Sequence, residues 1–288
     1  MSSKKCTNHL SVALSVTLSV ALTSCATIGE QTRAVLHSPP NVPAESQIDN
    51  VPFIAQAANQ CGPSTLAMML SWAGQKSSAE ELTPEVFTAT RKGSLQLDLI
   101  SAARRRGLNA MPIQGLHNLL REVAEGHPVI VLENLAFSWW PKWHYAIVFG
   151  YDLKAQTLIL HSGRSAFKRE PMNYFERNWQ LADYWGLVVL PAGRLSASAS
   201  ELVHLQAAVG LEQANWPVSA ENTYHRILER WPTSLAALIG LGNLAYNRKD
   251  FGAAVVFLRK ATHHHPDSMA AFHNLKVAEK AKILSSIP

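Results

Sequence analysis

Charge is scarce in this chain. Only 16% of its 288 residues are Asp, Glu, Lys or Arg, and 26 basic residues face 21 acidic ones. Part of the surplus is local. Residues 1–24 hold Lys4 and Lys5 and no acid, so without them 24 basic residues stand against 21. Such a balance, with no arginine-rich face interleaved with aromatics, argues against nucleic acid as a partner. No apolar run is a comfortable membrane span either. Leu10–Leu22 is interrupted by serines and threonines and falls short of the ~20 residues a helix needs to cross. A metal site is also missing. His263-His264-His265 is the densest histidine cluster, but consecutive helical side chains point in different directions and do not converge on one ion. Nothing calls for a cofactor.

What stands at the N-terminus is a secretory signal: Lys4-Lys5, then the Leu10–Leu22 apolar stretch. It closes on Leu22-Thr23-Ser24-Cys25, which resembles the bacterial lipobox. That resemblance implies a signal peptide of residues 1–24 and a lipid on Cys25. Ala26 follows in place of an aspartate, so the expected location is the outer membrane, facing the periplasm, with the lipid as the membrane contact. Of the three cysteines, Cys6 leaves with the signal and Cys25 carries lipid. Cys61 remains as a single thiol without a disulfide partner.

Cys61 lies in Gln56-Ala57-Ala58-Asn59-Gln60-Cys61-Gly62-Pro63, ahead of the apolar run Ser64–Ala73 and Gly74. Proline is favoured in a first helical turn, so Cys61 is expected at a helix N-terminus. The helix's partial positive charge there favours the thiolate. Gln56 can return a side-chain amide to the same place as an oxyanion donor. An imidazole partner is offered by His144, opening the apolar strand His144–Gly150; His117, His127 and His161 are rivals with poorer flanks.

In chain order, residues 25–50, with Pro39, Pro40 and Pro43, read as an extended tether. Thr83-Pro84-Glu85 reads as a helix start. Ser94 is expected to cap Leu95–Arg106, and a further helix spans Leu116–Glu125, stopping at Gly126. Strands follow at Pro128–Leu132, at His144–Gly150 and Thr157–Leu160 as a hairpin, and at Trp185–Leu190. Helices followed by an antiparallel sheet predict an α+β domain over residues 51–192. Residues 193–200 read as a linker.

Residues 201–288 repeat. Pro232 and Pro266 lie 34 residues apart, and in that frame Leu238, Leu241, Gly242, Ala245, Ala254, Leu258 and Ala261 fall where a tetratricopeptide repeat places its packing residues. Ala207, Ala208, Leu211, Ala220, Tyr224 and Ile227 share the register one unit earlier, and Phe272 and Leu275 open a partial third unit. Stacked helix pairs of this kind form a groove for a protein partner.

The order glutamine, cysteine, helix, then histidine on a sheet resembles papain-type cysteine peptidases. The closer resemblance, carried by Gln56, Cys61-Gly62-Pro63 and His144 through Gly150-Tyr151-Asp152, is to the C39-like, bacteriocin-processing branch. It implies a papain-like fold and a peptide or protein substrate. Cys61 would be the nucleophile, His144 the acid–base group, and Gln56 with the Cys61 N–H the oxyanion site. The family's orienting aspartate is replaced. Counting back from the hairpin tip puts Ser162 at its place, with Asp152 too far away. Two functions follow: a cysteine peptidase (hydrolysing or transferring peptide bonds), or a peptidase-like scaffold that binds through its repeats.

Overall fold

A computed structural model describes residues 29–287. The expected signal peptide and Cys25 lie outside those residues. The expected tether is partly folded. Helix α1 (Glu30–His37) buries Thr32 and Val35, and the Glu176 carboxylate accepts from the Gln31 and Thr32 N–H groups at 2.8 and 2.7 Å. An anion at a helix N-terminus satisfies donors that have no intrahelical partner. That contact lies 145 residues away in sequence and leaves no local signal.

After β1 (Glu45–Gln47) come α2 (Cys61–Trp72), α3 (Ala79–Val86), α4 (Gln96–Arg104), β2 (Asn109–Gln114) and α5 (Leu116–Ala124). The strands β3 (Val129–Asn134), β4 (Trp143–Asp152), β5 (Thr157–Ser162) and β6 (Ser165–Pro171) lead to α6 (Met172–Trp179) and β7 (Trp185–Leu190). The strands form one sheet in the order β2-β7-β3-β4-β5-β6, with β1 also on β4, and every pairing is antiparallel. Both faces are covered. Ala146 and Val148 of β4 enter one core with α5 and α6, while Tyr145, Ile147 and Phe149 enter the other with α2, α3 and α4. Burial on both faces is why β3 and β4 read as continuous apolar runs with no alternation.

Several expected boundaries move for identifiable reasons. Helix α3 begins at Ala79, not at Thr83: Ser78 and Glu81 form a reciprocal capping box, which leaves Pro84 inside the helix. Ser94 does not cap α4. Leu95 is the N-cap, and its N–H donates to the Asp98 carboxylate at 3.4 Å. Strands β2 and β6 and helix α6 were not legible. In β2 the Asn and Pro of NAMPIQ hide the strand, and β6, SAFKREP, is largely exposed and polar.

Nor is the expected linker free. Ser196 is buried, and the buried Glu122 carboxylate accepts from the Ser196 and Ser198 hydroxyls and from the N–H groups of Ala197 and Ser198. His127 Nδ1 lies 2.9 Å from the same carboxylate. Beyond this knot lie α7 (Glu201–Gln213), α8 (Pro217–Arg230), α9 (Leu235–Asn247), α10 (Phe251–His264) and α11 (Met269–Ser285). The small residues in repeat register are buried between them: Ala207, Ala208 and Ala220 in the first helix pair, Ala245, Ala254 and Ala261 in the second. A Cβ on Gly240 or Gly242 would stand 2.6 Å from Tyr224 or Leu258, so the helices approach too closely for any side chain there. The repeats dock on the first domain: Trp216 Nε1 donates to the Arg105 carbonyl, and Thr223 donates to the buried Asn109 side chain.

Burial alone would raise the Glu122 pKa, but the bonds from His127, Ser196 and Ser198 outweigh it and hold the carboxyl below its ordinary value. Its contribution is therefore full above the unfolded carboxylate pKa and is lost as pH falls through the folded one. Glu122→Ala is expected to lower the unfolding free energy by about 3–5 kcal/mol at neutral pH, read by urea denaturation, because it leaves two hydroxyls and the Ala197 N–H without their acceptor.

Candidate active site

The turn before α2 fixes Cys61. Gln60 N–H donates to the Ala57 carbonyl at 3.1 Å, and Asn59 takes a left-handed conformation with φ of 62°, which Asn tolerates better than most residues. Gln60 is the N-cap and Cys61 the first helical residue. Gly62 is required by contact: a Cβ there would lie 2.1 Å from Ser94 Oγ. Ser94 in turn accepts at its carbonyl from the Tyr145 hydroxyl, 3.2 Å away. The residues from Gly62 to Leu70 are buried, whereas Cys61 is half-buried and faces a cleft. The first-turn N–H groups of Cys61 and Gly62 have no intrahelical acceptor.

Gln56 is buried on the same cleft. Its Nε2 donates to Thr65 Oγ1 at 3.0 Å and to the Tyr145 carbonyl at 3.2 Å, and Thr65 Oγ1 donates to that same carbonyl at 3.3 Å. Both amide protons are engaged. The Gln56 Oε1 is buried without a partner among the described residues. Its main-chain N–H donates to the Gly163 carbonyl.

His144 opens β4, and its Nε2 is 3.0 Å from Ser162 Oγ. This contact leaves Nδ1 without a hydrogen bond among the described residues. Cys61, Gln56 and His144 line one cleft of about 1060 Å³, with Ser162 bonded to the histidine ring. No hydrogen bond links Cys61 to His144 among the described residues. The rivals are elsewhere: His161 is buried, bonded at Nε2 to the Val51 carbonyl and at Nδ1 to the Phe167 N–H; His127 belongs to the Glu122 knot; and His117 is exposed on α5. Asp152 sits at the far end of β4, where it accepts from Ala155 N–H.

The surroundings of His144 set its electrostatics. Burial, then the charges of Lys168 and Lys142, push the His144 pKa down to about 4, so the resting imidazole is neutral at neutral pH. One neighbouring carboxyl was not identified from the sequence. Glu133 faces His144 across the β3–β4 ladder and is buried with Oε1 unpartnered among the described residues. Burial first, and then the nearby Glu170, push its pKa up to about 8 against the pull of Lys168. Glu170 is itself buried and paired with Lys168 at 2.8 Å. The only available signal was a glutamate in a β-branched run.

The model of the Peptidase_C39 like family matches residues 41–186. The chain belongs to this family. A tetratricopeptide repeat model matches residues 213–279, the region of α8 to α11. Among solved structures, this C39-like chain is similar to the peptidase domain of Streptococcus ComA, a bifunctional ABC transporter of a quorum-sensing pathway. The identity is 21%, over 49% of this chain and 99% of that one, with a TM-score of 0.42. It is also similar to a double glycine motif protease from an AMS/PCAT transporter in complex with a leader peptide, at 22% identity over 51% and 98% and a TM-score of 0.38. No curated protein sequence matches the chain.

Glu133 generates a pH test for this C39-like domain. Its folded pKa lies above the unfolded value, so it holds its proton in the folded state while the unfolded chain loses it. Stability therefore declines as pH rises from about 4.5 to about 8. Glu133→Gln is expected to remove that decline. Denaturation midpoints of variant and parent should coincide near pH 4.5, and above pH 8 the variant should be more stable by on the order of a few kcal/mol.

Proposed function

We propose that the chain is a cell-envelope cysteine peptidase in which Cys61 is the nucleophile and His144 its general base. One observation carries this reading: a half-buried cysteine at the start of a buried helix and a strand-borne imidazole open on the same cleft, and the imidazole is bonded on its other edge to Ser162. With Nε2–H donating to Ser162 Oγ, the lone pair lies on Nδ1. His144 Nδ1 takes the Cys61 proton as Sγ attacks the peptide carbonyl carbon. The imidazolium then protonates the departing amine, leaving a thioester. Water, deprotonated by the same ring, releases the acid and restores the thiol. An amine in place of water would give transfer.

The N–H groups of Cys61 and Gly62 are free to receive the oxyanion. Gln56 joins them by exchanging its bond to the Tyr145 carbonyl for one to the developing charge. A serine orients the ring but adds no negative charge to stabilise imidazolium, and Lys142 and Lys168 oppose it, so turnover is slow compared with an acid-bearing site. The repeats supply a groove for the substrate protein or a partner, and a lipid on Cys25 places both at the membrane.

The reading is tested with peptide substrates and iodoacetamide labelling. Cys61→Ala should abolish cleavage. Gln56→Ala should lower kcat by about 10²-fold, the effect of losing one oxyanion donor. Ser162→Asp should raise kcat by about ten-fold or more and lift the acid limb of the pH profile, since a carboxylate stabilises the imidazolium. Cleavage that survives Cys61→Ala would sink the assignment. A Cys61 labelling rate independent of His144 would leave the chain as a scaffold.

A further inference from the structure

The walls of the cleft carry an unbalanced charge. Arg91, Lys92, Lys142 and Arg164 line it, with Asp183 as the single carboxylate. All four cations are exposed, and none forms an ion pair among the described residues. Some arginines elsewhere are paired: Arg105 and Arg106 with Glu85, Arg248 with Glu221, Arg259 with Glu279. The unpaired cations come from three separate loops that converge on the concavity holding Cys61.

The loop that supplies Lys142 carries an aromatic rim, whose Trp143 lines the cleft. Phe137, Trp139 and Trp140 are 65%, 77% and 71% exposed, and Phe137 stacks on Trp139 with ring centroids 5.4 Å apart. The loop bearing them is not loose. The buried Asn134 side chain accepts from the N–H groups of Ala136 and Lys142 at 3.0 and 2.8 Å and donates to the Phe137 carbonyl. The aromatics are held outward by a buried polar clamp, so their exposure costs little ordering on binding.

From this juxtaposition we infer that the cleft selects an acidic peptide segment with interspersed apolar residues, its carboxylates meeting Lys142 and Arg164 and its apolar side chains meeting the aromatic rim. The inference rests on the peptidase reading for the fate of the bound segment, though not for its binding. A peptide is favoured over an anionic bilayer because the cations line a concavity, and a flat surface would reach only its rim. There is a catalytic consequence. A substrate carboxylate beside Lys142 offsets one of the positive charges that weaken His144 as a base, so the preferred substrate also improves the site that cleaves it.

The test uses the full-length chain with Cys61→Ala and three fluorescent peptides of one apolar frame carrying Glu, Gln or Lys. The Glu peptide should bind about ten-fold more tightly than the Gln peptide at low salt, with the gap closing at high salt. Lys142→Glu combined with Arg164→Glu should reverse the order. Equal affinity for all three, or retention on anionic phosphatidylglycerol vesicles without peptide preference, would overturn the inference. Turnover by the unsubstituted chain separates the two claims. Cleavage of all three peptides at equal rates overturns acidic selectivity and leaves the peptidase intact. Selective binding of the Glu peptide without cleavage keeps the selectivity and removes the peptidase.

Discussion

One carbonyl ties the site together. The Tyr145 C=O accepts from both Gln56 and Thr65, joining the segment before Cys61, the second turn of its helix and the strand that carries His144. All three groups are buried, so the hydrogen bonds act in a low-dielectric setting where an unmet partner is costly. The Tyr145 hydroxyl reaches over to the Ser94 carbonyl, and Ser94 rests against Gly62. A single strand residue thus sets the spacing of helix, strand and cleft-lining loop. Cys61 is where it is because Gly62 admits Ser94 and Thr65 is anchored to β4.

The same node explains why Gln56 is at rest. An amide with both protons engaged is held in register, and it gives up one bond only for a stronger acceptor. A developing oxyanion is such an acceptor; a ground-state carbonyl is not. Interactions made only as charge develops are the ones that accelerate a step. Around His144 the field runs the other way: Lys168 and Lys142 lie near, and Ser162 offers the ring a neutral hydroxyl. The buried Glu133 on the neighbouring strand keeps its proton at neutral pH, so the carboxylate that meets these lysines is Glu170, paired with Lys168.

Helix α4 links the two halves of the molecule. Gln96 at its start lines the cleft, while Arg104 at its end lies against Gly210 of the first repeat helix, where a Cβ would come within 2.7 Å. The Glu122 knot fixes the intervening segment. The repeats are therefore built onto the C39-like domain by buried contacts, in a body continuous with the cleft.

Much of this was legible in residue order. Cys61-Gly62-Pro63 announced a helix start because proline is favoured in the first turn. The hairpin formed by His144–Gly150 and Thr157–Leu160 was legible as two apolar runs around a turn, and Ser162, just beyond it, bonds the His144 ring. The 34-residue spacing revealed the repeats because close helix packing demands small residues at fixed intervals. Other features depend on partners far apart in sequence. The folding of residues 30–47 needs Glu176 and β4, the ordering of residues 193–200 needs Glu122, and the lowered pKa of His144 needs its burial first and then Lys168 and Lys142 nearby. Local chemistry decided the candidate residues and their elements. Tertiary structure decided their protonation, their partners and the charge of the cleft they share, because burial and proximity arise only when distant segments pack.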